Sequence, residues 1–191
     1  MSSPKENCYK TGHELVKHFD EMIEGLQRLN TLSRGQAEAE LMKCCGSEKW
    51  ARQMIERRPF EDVNDLSANA DSVWWALDGS DWLEAFSHHP KIGEKKAAAA
   101  QAEEARAWSA EEQSRASTTA PEISRVLADA NRDYERRFGY IFIVCATGKS
   151  SEEILSILQQ RMGNTPEQEL RIAAGEQAKI TQLRIRKLLD Q

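Results

Sequence analysis

The sequence predicts an all-α protein, a single multi-helix domain of about eight to nine helices with one buried extended segment. Three observations carry this. Apolar residues recur at three- and four-residue spacing along most of the chain, and serine, glycine and proline signals cut it into lengths ordinary for helices. Only one run, residues 140–146, is β-like, since Ile141, Phe142, Ile143 and Val144 follow one another. At 191 residues the chain is long enough to bury about 70% of its unfolded surface in one core.

Taken in order, a first helical region holds His13 and His18. Helices over 34–45 and 47–58 are separated by Gly46, with Ser47 as N-cap of the second and Pro59 as its stop. Helices over 67–77 and 80–88 follow, joined by a turn at Asp78 and Gly79. Trp74, Trp75, Leu77, Trp82, Leu83 and Phe86 supply mostly core positions, and Trp82 and Phe86, four apart, bury the face that leads into His89. Residues 94–106, rich in Ala, Gln and Glu, predict a helix with a small apolar face. A long helix over 120–137 carries Ile123, Val126, Leu127, Ala130 and Tyr134 on one stripe and ends at Phe138 and Gly139. Segment 140–146 has no strand to pair with, so its backbone groups need other partners, and a bound polar ligand is one candidate. Ser150, Ser151, Glu152 and Glu153 cap a helix to Arg161, residues 163–166 break it, and the last helix covers 166–189.

Composition excludes several functional classes. Charged residues make up 30% and the net charge of -5 is dispersed, without a basic patch interleaved with aromatics, so nucleic acid is not an expected partner. No apolar run approaches the roughly 18 residues that span a bilayer, and residues 1–10 lack the apolar core of a secretory leader. The terminal Leu189-Asp190-Gln191 is not a Ser-Lys-Leu peroxisomal address, so a cytoplasmic location is expected. The four cysteines include an adjacent pair and no C-x-x-C, which suggests neither a disulfide framework nor a zinc site. No His-x-x-x-His or Glu-x-x-His pair is present, so no metal is expected. Thr147-Gly148-Lys149-Ser150 mimics the end of a phosphate loop, but Ile143 stands where that loop requires glycine.

The chemistry-bearing residues lie at helix boundaries. His89 precedes Pro90, whose ring disfavours the α conformation for the residue before it, so the helix should stop and present His89 beyond its end. A helix C-terminus favours the protonated imidazole and burial opposes it. His88 is better read as a helix-terminal histidine bonding last-turn carbonyls. Ser109 three residues before Glu112 has the spacing of a capping box, which puts the carboxylate in a first helical turn either as a cap or as an acid/base group. Arg184 falls on the apolar face of the last helix, with Leu170, Ala173, Ala174, Ile180, Thr181 and Leu188. A guanidinium there needs an acceptor, either within the protein or on a ligand whose carboxylate or carbonyl its fork can grip.

Four motifs in order resemble one family: His89-Pro90-Lys91-Ile92-Gly93; Ser109, Glu112 and Gln113; Asn131, Tyr134 and Phe138-Gly139-Tyr140-Ile141-Phe142-Ile143-Val144-Cys145; and Ile180, Leu183 and Arg184. Together with Leu32-Ser33 and Cys44-Cys45-Gly46-Ser47 they resemble the 2-oxo-4-hydroxy-4-carboxy-5-ureidoimidazoline (OHCU) decarboxylases of urate breakdown, from about residue 29 to 189, with residues 1–28 as a less well matched extension. The resemblance implies a cofactor-independent decarboxylase that makes (S)-allantoin and carbon dioxide, often as a homodimer. It implies His89, Glu112 and Arg184 as the catalytic residues. Substrate would be held by Pro90, Ser109, Glu112, Gln113 and Arg184, and by the chain at Phe142, Ile143, Val144, Cys145, Ala146 and Thr147. A helical interaction module with a tryptophan groove, or a hydrolase using His89 and Glu112 to activate water, are the alternatives from other classes.

Overall fold

The structure, a computed structural model, describes residues 12–90, 107–109, 111 and 121–191. The described residues hold no strand and eight helices of described extent, α1 Gly12–Thr31, α2 Arg34–Cys45, α3 Glu48–Glu56, α4 Val63–Ala76, α5 Gly79–Ser87, α6 Pro121–Phe138, α7 Ser151–Arg161 and α8 Pro166–Leu189, and residues 107–109 and 111 are helical as well. The helix expected over 94–106 lies outside them. Side-chain caps explain most helix starts: Ser33, Ser47, Asp62, Asp78, Ser150 and Thr165 each accept a first-turn N–H, satisfying donors that the helix itself leaves open. Two of these correct the sequence reading. With Asp62 as N-cap, α4 starts at Val63, four residues before Ser67, and Asp78, expected in a turn, is the N-cap of α5.

Helix α8 is the spine, packing against α1, α2, α4 and α5. Its crossing with α1 is close enough that a Cβ on Gly25 would lie 2.1 Å from the Leu189 carbonyl oxygen, so only glycine fits there. Arg28 of α1 also donates to the Leu188 carbonyl at 2.8 Å, closing the C-terminal end of α8.

Two apolar cores result, and the extended segment divides them. Ile141, Ile143 and Cys145 face the large core formed with α1 to α5 and α8, whereas Phe142, Val144 and Ala146 face a smaller one with α6 and α7. Side chains alternate along an extended chain, so burial on both faces demands an unbroken apolar run. That is why a β-like stretch sits in a helical protein without pairing as a strand. Of the predicted core residues here, Trp74, Leu77, Trp82 and Phe86 are buried, but Trp75 is 47% exposed and Leu83 41% exposed. One position along the helix turns the side chain by about 100°. Trp74 therefore reaches the Ala174 carbonyl with its Nε1 at 2.9 Å, and Trp75 only covers the edge of Trp82. On α6 the buried line is Leu127, Asn131 and Tyr134, and Val126 faces outward.

Candidate active site

Three elements converge on His89. Helix α5 ends at His88, whose backbone N–H donates to the Ala85 and Phe86 carbonyls, and the His89 N–H adds a bond to Phe86 at 3.1 Å. The imidazole thus lies beyond the helix end, as Pro90 predicts. It is the backbone of His88, not its ring, that satisfies the last-turn carbonyls. Helix α2 ends in Gly46 at φ 81°, where its N–H bonds the Met42 carbonyl. A Cβ at Gly46 would stand 2.8 Å from His88 Cβ, so the two helix ends touch at a place that admits only glycine. Helix α8 completes the contact, because Gln177 Oε1 lies 2.6 Å from His89 Nε2.

Burial and then the positive charge of Arg184 push His89 down to about 3, so the ring is neutral at ordinary pH. The opposing influences left open by the sequence are thereby decided in favour of desolvation. A neutral imidazole next to a guanidinium is a base that can take a proton from a ligand held by that guanidinium.

Arg184 is buried at 2% exposure and donates to Ser109 Oγ at 2.9 Å, whereas Arg186 is exposed. This is the acceptor that a guanidinium in an apolar stripe requires. Ser109 itself corrects the capping-box reading. Ala107 and Trp108 are already helical, so Ser109 lies inside its helix and its hydroxyl serves Arg184. Trp108 enters the large core, and Glu111 accepts from Lys187 of α8 at 2.8 Å, so this helix is docked along α8 at two successive turns. Glu112 and Gln113 lie outside the described residues. Pro90 is half-buried directly after His89.

Four backbone groups of segment 140–146 have side-chain partners. Asn131 Oδ1 accepts from the Phe142 N–H at 3.0 Å, Arg161 donates to the Ile143 carbonyl at 2.9 Å, Glu176 accepts from the Cys145 N–H at 2.8 Å and Lys149 donates to the Cys145 carbonyl at 2.7 Å. Arg161 is in turn held by Glu169 through Nε at 2.7 Å, with the Tyr134 hydroxyl donating to the same carboxylate and Asn164 to its other oxygen at 2.7 Å. Arg161, Glu169, Tyr134 and Asn164 are each paired within this cluster, as burial of an ion pair demands, while the neighbouring Tyr140 hydroxyl is buried without a hydrogen-bond partner among the described residues. Burial raises Glu176, but Lys179 and the Cys145 N–H outweigh it and hold the carboxyl low. Thr147 is exposed where the segment leaves the core, and Ser150, in the phosphate-loop mimic, is the N-cap of α7. Among the described residues no three His, Cys, Asp or Glu side chains gather into a cation-binding group.

The sequence reading does not single out the buried Gln177 and Glu169 or the half-buried Glu176. Gln177 carries the signal that marked Arg184: it precedes Thr181 by four and Arg184 by seven on the apolar face of α8.

The family model OHCU decarboxylase matches residues 30–186. The chain belongs to this family. Among curated relatives it is 39% identical over 153 residues to the "Uric acid degradation bifunctional protein TTL" of Arabidopsis thaliana, covering 80% of this chain and 47% of that protein. It is 31% identical over 141 residues to a 2-oxo-4-hydroxy-4-carboxy-5-ureidoimidazoline decarboxylase of Mus musculus, covering 73% of this chain and 78% of that one. The chain thus spans about half the length of the bifunctional relative and most of the single-function one. A solved structure described as OHCU decarboxylase in the presence of (S)-allantoin superposes with a TM-score of 0.70 at 39% identity, over 81% of this chain and 99% of that one. An (S)-allantoin synthase structure shares the fold at a TM-score of 0.64 and 17% identity.

Proposed function

We propose that the protein is a cofactor-independent carboxy-lyase that converts OHCU to (S)-allantoin and carbon dioxide, the last step of urate degradation to allantoin. The observation that carries this reading is the convergence of a neutral His89, beyond the end of α5, with the buried Arg184 of α8 and the Ser109 hydroxyl that it holds, in a chain of the OHCU decarboxylase family. Loss of carbon dioxide leaves an electron pair that the adjacent ring C=N accepts, so the substrate is its own electron sink. The protein has only to hold it, polarise it and move protons. Arg184 grips the polar substrate, His89 takes the hydroxyl proton, and Glu112 delivers a proton to one face of the resulting enol carbon. That facial choice sets the single enantiomer. Pro90, Gln113 and the chain from Phe142 to Thr147 line the remaining contacts.

In this account the enzyme works as a homodimer in the cytoplasm, with no membrane or nucleic-acid partner. No helix among the described residues is long and apolar enough to cross a membrane. The decisive experiment follows carbon dioxide release and optical activity after freshly generated OHCU is mixed with the protein. Stoichiometric carbon dioxide with (S)-allantoin formed faster than in the protein-free control supports the function. Racemic allantoin at the spontaneous rate overturns it, and water addition without carbon dioxide would instead identify a hydrolase.

A further inference from the structure

We propose that Gln177 is a positioning residue that fixes His89 as the Nε2–H tautomer and so leaves Nδ1 as the basic atom that faces substrate. The proposal rests on the catalytic reading of His89 and adds to it the identity of the working nitrogen.

Gln177 has no exposed surface, so its NH2 and its carbonyl must both find partners inside the protein. Its Nε2 lies 3.2 Å from Thr181 Oγ1 and 3.5 Å from the Cys45 carbonyl oxygen, and a backbone carbonyl only accepts. The Thr181 hydroxyl can donate or accept, so it is the Cys45 carbonyl that decides which end of the amide points that way. Turning the amide over would set two carbonyl oxygens against each other at Cys45. The NH2 end is therefore directed at α2 and along α8, and Oε1 is directed at the imidazole, 2.6 Å from Nε2.

An amide oxygen cannot donate, so at that distance His89 Nε2 must carry a hydrogen. A neutral imidazole has one N–H, hence Nδ1 holds the lone pair. The step assigned to His89 then balances: the substrate hydroxyl gives its proton to Nδ1, the ring becomes an imidazolium with both nitrogens protonated, and the Gln177 bond persists throughout. Among the described residues, the charged or titratable groups that act on the ring are Arg184 on α8 and His88 at the end of α5, both of which disfavour its protonation. An uncharged acceptor at Gln177 holds the ring without adding a carboxylate that would keep it protonated at rest.

The test uses the full-length protein labelled with 15N-histidine, with a His89→Asn spectrum to assign the resonance among the four histidines. Nitrogen shifts distinguish the tautomers without any substrate. The expected result is Nε2–H in the wild type and tautomer mixing in Gln177→Leu, with kcat at least about tenfold lower and KM little changed. Gln177→Glu keeps the acceptor and adds a charge, so the His89 pKa and the acid limb of kcat/KM should both rise by about 1–3 pH units. An Nδ1–H tautomer in the wild type, or a Gln177→Glu profile that does not move, overturns the proposal. The wild-type spectrum requires no variant to fold, and it is independent of turnover. A failed His89→Ala assay would count against the catalytic reading alone.

Discussion

Gly46→Ala isolates the contact that aims His89. Two costs can be worked from the structure. A side chain at φ 81° pays for the left-handed conformation, about 1–2 kcal/mol. The new Cβ would also stand 2.8 Å from His88 Cβ, about 1 Å inside an ordinary carbon contact, and overpacking of this kind costs about 1–3 kcal/mol. The sum, about 2–5 kcal/mol, corresponds to a melting temperature lower by roughly 4–20 °C in a chain of this size. Gly139 separates the two effects, since it has φ 84° but nothing within 4 Å of its Cβ, and Gly35, helical and with nothing near, should tolerate alanine without loss. Calorimetry and steady-state turnover on the three alanine variants give the comparison. Because His88 can yield only by moving the end of α5, Gly46→Ala should lose turnover as well as stability, whereas Gly139→Ala should lose stability alone. If Gly46→Ala melts and turns over like Gly139→Ala, the packing of α2 against α5 does not position His89.

Two further expectations concern buried charge. Arg161→Met leaves the buried Glu169 without its cationic partner and the Ile143 carbonyl without its donor, and breaking such a pair costs about 3–5 kcal/mol. Chemical denaturation should show that loss, and a change below about 1 kcal/mol would mean that the extended segment is not held by this cluster. His89 has a second signature in acid. Its folded value lies near 3 and its unfolded value near 6.5, so as pH falls through that interval the unfolded chain binds a proton that the native ring refuses. Stability contributed by the neutral ring is complete above about pH 6.5 and is lost towards pH 3. Wild type should therefore lose more melting temperature between about pH 7 and about pH 4.5 than His89→Asn does. Parallel curves would place His89 in a hydrated, unperturbed site.

The helices were legible because their signals are local: Ser47 as a cap, Gly46 as a stop and Pro90 as a barrier each act within a few residues. The extended segment was legible as buried but not as a partition, since which core receives Ile143 and which receives Val144 is decided by helices far away in sequence. His89 and Arg184 stood out as polar groups where pattern or geometry is strict. Gln177 fits the same pattern, yet its meaning depends on Cys45, distant by 132 positions, and no spacing rule reports that contact. Ser109 was misread for a related reason. Its spacing to Glu112 matches a capping box, but a buried guanidinium on another helix claims its hydroxyl.

The role of His89 as the base of a decarboxylation is tested most directly by kcat/KM of His89→Ala with freshly generated OHCU. With circular dichroism unchanged and the spontaneous reaction subtracted, the variant should fall by about 10²- to 10⁴-fold, the range of a lost acid/base group. A folded His89→Ala protein that keeps activity within about threefold of wild type would contradict the mechanism.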